Sequence, residues 1–153
     1  MEILLLQGAI GFYLFSTAAF LWPLMSARTA PRLLAPVLLC VAFLAHAGSI
    51  TARSVAAGYI AVIDSYEAVS FFSCLMAGVY LVAQLRAPVA ILGAVVSPLC
   101  AVLTTGAFVF YTRARGLPPT LHSAWLPIHV TLAFLGNAVF GVAFSASLVY
   151  LLQ

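Results

Sequence analysis

Charge is what this sequence has least of. Its 153 residues include only three acidic and six basic side chains, and all six basic ones are arginine. Hydrophobic residues make up 65% of the chain, whereas a soluble domain is typically about 45–50% apolar and about 25% charged. So few charges could not cover the surface of a water-soluble fold. The composition therefore excludes soluble enzymes and basic nucleic-acid binders, and it indicates an integral membrane protein surrounded by lipid.

The chain also lacks the residue patterns of common catalytic chemistry. Its three cysteines lie in apolar runs without Cys-x-x-Cys spacing, which predicts small core residues rather than a disulfide or zinc framework. We find no nucleophile–base pair, no glycine-rich phosphate loop and no pair of carboxylates within one apolar run. Hydrolysis and phosphoryl transfer therefore have no support, and we assign no catalytic residue.

Five apolar stretches are long enough to cross a bilayer, which takes about 20 residues of helix. Polar residues, arginines and prolines separate these stretches. They cover approximately residues 3–25, 33–51, 68–85, 89–111 and 124–152. The sequence therefore predicts an all-α integral membrane protein, with one helical membrane domain over residues 1–153 and about five transmembrane helices.

Five spans would place the two termini on opposite sides of the membrane. The side that holds the N-terminus, here called the N-terminal side, would also hold the connections 53–67 and 112–123. The arginines divide evenly, with Arg53, Arg113 and Arg115 on the N-terminal side and Arg28, Arg32 and Arg86 on the other. The positive-inside rule therefore does not orient the chain.

The three histidines are the only side chains that both titrate near neutrality and bind a transition metal or haem iron. His46 falls in the second span, His129 in the fifth, and His122 in the connection before the fifth. At a rise of 1.5 Å per residue, His46 and His129 both lie roughly 7–10 Å below the N-terminal side. They could face one cavity. A neutral histidine that joins helices by hydrogen bonds is an equally good interpretation of each.

Other candidate groups are expected on the same side. Trp125 lies one turn before His129, where an interfacial aromatic anchor is common. Tyr66 and Glu67 open the third span, and a carboxylate beside a helix N-terminus is favourable. The three arginines of the N-terminal side could pair with the propionates of a haem, or they could be ordinary loop charges beside lipid headgroups.

Two stretches of the sequence resemble the motifs of a known family. Residues 119–130, PTLHSAWLPIHV, are similar to the pattern P-x-L-x-S-x-W-L-x-x-H-V. Upstream, His46, Arg53 and Gly58, followed by YEAVSFFS at residues 66–73, resemble an H…R…G…N-x-Y-E-x-x-x-F-x-S block. Together these stretches resemble the cytochrome c assembly proteins of the CcsA/ResC/HemX type over about residues 40–153.

The resemblance implies a function in haem handling. In that family the histidine matching His129 is a haem ligand at the outer face, so haem is the expected cofactor and its iron the only expected metal. The N-terminal side is then outside a bacterial inner membrane and the C-terminus cytoplasmic. The family transports haem or presents it to an apocytochrome c. The expected site residues are His129 and His46 as ligands, Trp125, His122, Arg53, Arg113 and Arg115 as weaker cofactor contacts, and Tyr66 and Glu67 as motif residues.

The sequence departs from the family's cytochrome c synthases at several positions, and one departure bears on activity. Those proteins carry a Trp-rich W-G-x-x-W-x-W-D loop and a second outer histidine after this region, whereas this chain has only two tryptophans, Trp22 and Trp125. We therefore expect an N-terminal half that is not catalytic alone. A second membrane subunit would supply the Trp-rich loop, and the complete assembly would be a cytochrome c haem lyase or synthase.

Two other interpretations stay open. The chain could be a HemX-like membrane accessory protein that influences haem biosynthesis by protein interaction, without ligating haem. It could also be a purely structural subunit or a remnant without function. The resemblance favours the haem-handling interpretation over both.

Overall fold

The computed structural model of the chain describes residues 1–26, 33–86, 89–112 and 125–151. Within those ranges it contains five α-helices and no strand. They are α1 (Glu2–Met25), α2 (Leu34–Ala57), α3 (Ser65–Arg86), α4 (Ala90–Val109) and α5 (Trp125–Leu151). Each is long and apolar enough to cross a membrane. The predicted all-α fold of about five membrane helices is confirmed, and the protein is a multi-pass membrane protein.

The first four helices form a ring, and α5 packs outside it. Each of α1, α2 and α3 contacts the next helix, α4 returns to α1, and α5 lies against α3 and α4. The interior of the ring is filled by large buried side chains such as Tyr13, Leu39, Met76 and Tyr80. The outward faces carry exposed leucine, valine and phenylalanine side chains. This arrangement suits a bilayer, whose lipid tails are as apolar as the side chains that face them.

The second helix continues beyond the apolar run from which it was predicted. It ends at Ala57, so Arg53, which we expected in a connection, is a helical residue. Gly58 then adopts the left-handed conformation, with φ 76°, and its N–H donates to the carbonyl of Ser54. This conformation costs glycine little because it has no Cβ, and it ends the helix.

Reciprocal hydrogen bonds start α3 before residue 68. The backbone N–H of Glu67 donates to Asp64 Oδ1 at 2.7 Å, and Glu67 Oε2 accepts from the backbone N–H of Asp64 at 3.5 Å and from that of Ile63 at 2.9 Å. An acid before the helix and a glutamate three residues later form a capping box, which satisfies N–H groups that lack helical partners. The same two acids also belong to the candidate site described below.

Gly93 allows α4 to pack closely against α1 and α3. A Cβ atom at this position would collide with the ring of Phe20 and with the hydroxyl of Tyr80. These two rings are themselves packed edge to face, with centroids 6.1 Å apart. The close approach of the three helices at this point therefore depends on glycine.

Candidate functional site

Arg53 lies near the N-terminal side of α2, and it is only 2% exposed. Its Nε donates to Glu67 Oε1 at 2.7 Å, and its Nη1 donates to Glu2 Oε1 at 3.0 Å. Nη1 also donates to the backbone carbonyl of Thr112 at 2.9 Å, and Nη2 lies 3.4 Å from Asp64 Oδ2. One guanidinium thus joins the ends of all four ring helices. We call Arg53, Glu2, Asp64 and Glu67 the arginine cluster.

The arginine cluster contains every acidic side chain of the protein. The side chain of Glu67 is 0% exposed, that of Glu2 18% and that of Asp64 37%. The cluster has three carboxylates and one guanidinium, and two tyrosine hydroxyls also donate to its carboxylates. Tyr66 O–H lies 3.3 Å from Glu2 Oε1, and Tyr59 O–H lies 3.4 Å from Glu67 Oε1. Burial, followed by the Glu67 carboxylate, raises the pKa of Tyr59. That hydroxyl therefore remains a donor at neutral pH.

Two tyrosine rings complete the surroundings of the guanidinium. Arg53 Cζ lies 4.6 Å from the ring centroid of Tyr66 and 5.7 Å from that of Tyr111. The two rings meet edge to face, with centroids 5.2 Å apart. A cation over an aromatic face is attracted to it, most strongly where water is excluded. The rings therefore stabilise the buried charge in addition to its hydrogen bonds.

Thr112 ties the end of α4 to the arginine cluster at two points. Its carbonyl accepts the hydrogen bond from Arg53, and its hydroxyl donates to Asp64 Oδ2 at 2.7 Å. We call the hydroxyl contact the Asp64–Thr112 clasp. It is the most exposed part of this polar network.

His46 is fully buried inside the ring, on the same face of α2 as Arg53. Its Nδ1 lies 3.3 Å from the hydroxyl of Tyr13, and its Nε2 lies 2.9 Å from the hydroxyl of Ser70. The Tyr13 ring also packs edge to face against the imidazole, at 5.8 Å between centroids. Both ring nitrogens therefore have partners, and His46 joins α1, α2 and α3.

His129 has the opposite environment. It is exposed, and about two and a half helical turns separate it from Ala138, the buried residue on the far side of α5. Trp125, one turn before His129, is 69% exposed. His46 faces the interior of the ring, whereas His129 faces away from the bundle. The structure does not bring the two histidines into one cavity.

A groove of about 540 Å³ runs between α3 and α5. Four phenylalanine rings, from Phe72, Phe134, Phe140 and Phe144, line it, and Asn137 supplies a polar side chain. His129 is not among the lining residues. The remaining candidates, His122, Arg113 and Arg115, lie outside the described residues.

The sequence analysis did not anticipate the ion pairs of Arg53. A usable signal was present, because His46, Ser49 and Arg53 follow one another at helical spacings of three and four residues. A helix that carried all three would place them on one face. That face meets polar groups in the structure, since Ser49 donates to the backbone carbonyl of Glu2 at 2.9 Å.

Comparison with known proteins identifies a matching family. A protein-family model described as "Cytochrome C assembly protein" matches residues 62–153. The matched region includes Tyr66 and Glu67 of the site as well as Trp125 and His129. No curated protein and no solved structure matches the chain.

Proposed function

The chain belongs to the cytochrome c assembly protein family, and we propose that it is a haem-handling membrane subunit of cytochrome c maturation, incomplete by itself. Membership of the family supports a role in cytochrome c maturation. The observation that carries the finer proposal is the exposed imidazole of His129, which lies in the second turn of α5 and faces away from the bundle. An imidazole in this position is open to iron from outside the bundle.

The residues around His129 fit a haem group. Histidine is a common axial ligand of haem iron, and its side chain here is exposed on the helix surface. Trp125, on the preceding turn, offers an exposed aromatic surface beside it. When bound, haem would supply the vinyl groups that react with apocytochrome thiols. His129 would hold and orient the group, and the arginine cluster would hold the ring helices in place behind α5.

Two other candidates are engaged within the protein. A nitrogen of His46 could bind iron only after it gave up Tyr13 or Ser70. The guanidinium of Arg53 could pair with a propionate only after it gave up contacts to Glu2, Glu67 or Thr112. The proposal therefore places His129 first as ligand, keeps His46 as a second candidate and gives Arg53 a structural role.

The proposal includes partners and an orientation. The proposed partner within the membrane is a second subunit that carries the Trp-rich loop. The acceptor would be an apocytochrome c. The membrane would be a bacterial inner membrane, with the N-terminal side outside, so that His129 lies near the surface where the acceptor is found.

The test is the absorption spectrum of the detergent-purified chain with added haem. His129→Ala should abolish or shift the Soret band and weaken haem binding by at least about tenfold, because loss of even an outer partner of a metal ligand costs about 10- to 100-fold. Added imidazole should restore part of the band by filling the vacated position. Leu132→Ala is the matched control, since it truncates another exposed side chain of α5. An unchanged spectrum in His129→Ala would exclude this ligand.

One observation favours a second function. Because His46 and His129 face different environments, the described residues do not form a two-histidine cavity inside the bundle. A HemX-like accessory protein needs no such cavity and acts by protein interaction on haem biosynthesis. Absence of haem binding by the unaltered chain, together with its association with a soluble haem-synthesis enzyme, would support this alternative.

A further inference from the structure

The groove between α3 and α5 opens away from the bundle. Two of the rings that line it, Phe140 and Phe144, are 74% and 61% exposed. Helix α5 forms one wall of the groove, and only three of its 27 residues are buried, whereas α4 buries eight of its 20. Most of the surface of α5 therefore faces either lipid or another protein.

Asn137 places an amide in this groove near the middle of the membrane. At 1.5 Å per residue, it lies about 18 Å along α5 from Trp125 and about 21 Å from Leu151. The hydrocarbon core of a bilayer is about 30 Å thick, so the two ends of α5 reach its edges and Asn137 lies near its centre. Its short side chain is therefore far from water and from lipid headgroups.

The part of the chain that the structure describes does not satisfy this amide. No described side chain or carbonyl forms a hydrogen bond with the side chain of Asn137. By contrast, the hydroxyls of Ser145 and Ser147 donate to the carbonyls of Gly141 and Ala143, one turn earlier in the same helix. A carboxamide has two N–H donors and an acceptor oxygen, and leaving them unpaired in hydrocarbon is costly. An acyl chain offers neither a donor nor an acceptor at this depth.

A second copy of this chain would offer both at the required depth. Copies inserted into one membrane with the same orientation are related by a two-fold axis along the membrane normal, so equal residues lie at equal depth. Such an interface uses the same surface of both copies. The amide of Asn137 would meet the same amide of the second copy, and two reciprocal hydrogen bonds can form because each amide both donates and accepts.

We propose that the groove between α3 and α5 is the interface of a homodimer. The α5 helix of each copy packs into the groove of the other, and the two Asn137 amides pair between them. The rings of Phe134, Phe140 and Phe144 surround the pair and exclude lipid. Packing and hydrogen bonds between polar side chains are the forces that associate helices in lipid. The interface needs no haem, so this inference stands apart from the proposed function.

Energy transfer between copies in vesicles tests the proposal. Donor and acceptor fluorophores are attached after Gln153, and the chain is diluted in vesicles of phosphatidylethanolamine and phosphatidylglycerol. Transfer should exceed the random level and fall on dilution, as for a reversible dimer. Asn137→Leu should require about tenfold more chain per lipid for the same transfer, as expected for two lost interhelical hydrogen bonds. Asn137→Gln keeps an amide and should associate more strongly than Asn137→Leu.

Val139→Leu is the matched control. Val139 lies two residues from Asn137 at nearly the same depth and is 50% exposed, but it does not line the groove. Its replacement should leave the dilution curve unchanged. A shift equal to that of Asn137→Leu would show a general effect of altering α5 and would overturn the pairing of the amides. Circular dichroism should show the same helix content in all variants, because Asn137 has no partner among the described residues whose loss could disturb the fold.

Two further outcomes would also overturn the proposal. Energy transfer at the random level for the unaltered chain at every dilution would exclude the dimer, and the groove would then belong to lipid or to a helix of a different subunit. Transfer above the random level that Asn137→Leu leaves unchanged would place the contact between copies on another face of the bundle.

Discussion

The guanidinium of Arg53 lies among three carboxylates, one backbone carbonyl and two aromatic rings. Removing a charge from water is expensive, and the attraction of its partners compensates only when the geometry and the remaining hydrogen bonds are good. Here Nε and both Nη atoms each reach an oxygen within 3.4 Å. The contacts of the complete cluster therefore compensate for burying its charges, but removal of Arg53 would leave the carboxylates uncompensated.

Arg53→Ala should lower the free energy of unfolding by about 3–5 kcal/mol, because it leaves three neighbouring carboxylates without their common partner. Arg53→Lys should have a free energy of unfolding between those of the unaltered protein and Arg53→Ala, since an ammonium keeps the charge but lacks the planar arrangement of donors. Arg86→Ala removes an exposed arginine and should change stability by less than about 0.5 kcal/mol. Chemical unfolding in detergent measures all three. Equal stability of Arg53→Ala and Arg86→Ala would contradict the structural role of the cluster.

The sequence indicated which single residues were of interest, but it did not indicate which side chains they contact. His46 was recognisable as a polar residue within an apolar span, and interhelical hydrogen bonding was one of its two interpretations. Its partners Tyr13 and Ser70 lie 33 and 24 positions away in the chain. Such contacts follow from how helices face one another, which local spacing does not specify. His129 shows the same limit, because its exposure depends on which face of α5 is covered.

Among the helices, α4 shows how one small residue sets a packing distance. Gly93 lies against Phe20 of α1 and Tyr80 of α3, and both side chains are almost fully buried. The Tyr80 hydroxyl also donates to Gln84 at 3.0 Å. The two rings therefore have little room in which to move away from an added methyl group.

Gly93→Ala should destabilise the protein although alanine favours helix. The expected cost of overpacking is about 1–3 kcal/mol, against a gain in helix propensity of about 1 kcal/mol. Gly106→Ala in the same helix adds its methyl where no atom lies within 4 Å, so only the gain applies. Thermal unfolding in detergent should show a lower midpoint for Gly93→Ala than for Gly106→Ala. The reverse order would refute the close contact.

The number of helices could be predicted from the apolar runs, because a run of about 20 residues has few alternatives in a bilayer. Their ends could be predicted less well. The start of α3 depends on Asp64 and Glu67, whose spacing in the sequence is that of a capping box. Helix α2 continues past Arg53, whose charge is paired with Glu67 and Glu2, and it ends just before Gly58. Hydropathy alone assigns a charged residue such as Arg53 to a connection.

For the whole molecule, the distribution of charge bears on orientation. Arg53 lies within α2 and is ion-paired, so it differs from the arginines in the connections between helices. The sequence then leaves Arg113 and Arg115 on the N-terminal side against Arg28, Arg32 and Arg86 on the other. A difference of one arginine does not orient the chain by the positive-inside rule. The proposed orientation therefore rests on the proposed function.

Reporter fusions test that orientation. Fusions after Arg86 and after Gln153 should both report the cytoplasm, because the proposed function requires the N-terminal side to lie outside. A fusion after Gly58, on the N-terminal side, is the control and should report the outside. An external signal from the fusions after Arg86 and Gln153 would reverse the orientation and would remove His129 from the side of the apocytochrome.

The assembly of the helices could not be predicted from the sequence. In water a helix buries its apolar face, but in lipid an apolar face can meet either a neighbouring helix or a lipid tail. Nothing in the composition of α5 therefore distinguishes it, although it is the helix that packs outside the ring. Small or polar interior residues such as Gly93, Ser70 and His46 carry the only local information on which faces meet.

The arginine cluster also has a consequence for the order of biosynthesis. Its members lie at positions 2, 53, 64 and 67, and it receives its last contact from Thr112. A ribosome that adds about 5–20 residues per second needs roughly 5 to 20 seconds to pass from the first position to the last. Glu2 is made well before Arg53, and Arg53 in turn is made before its partners Asp64, Glu67 and Thr112. The nascent protein must therefore keep these charges in contact with water, or with the insertion machinery, until four helices have been made.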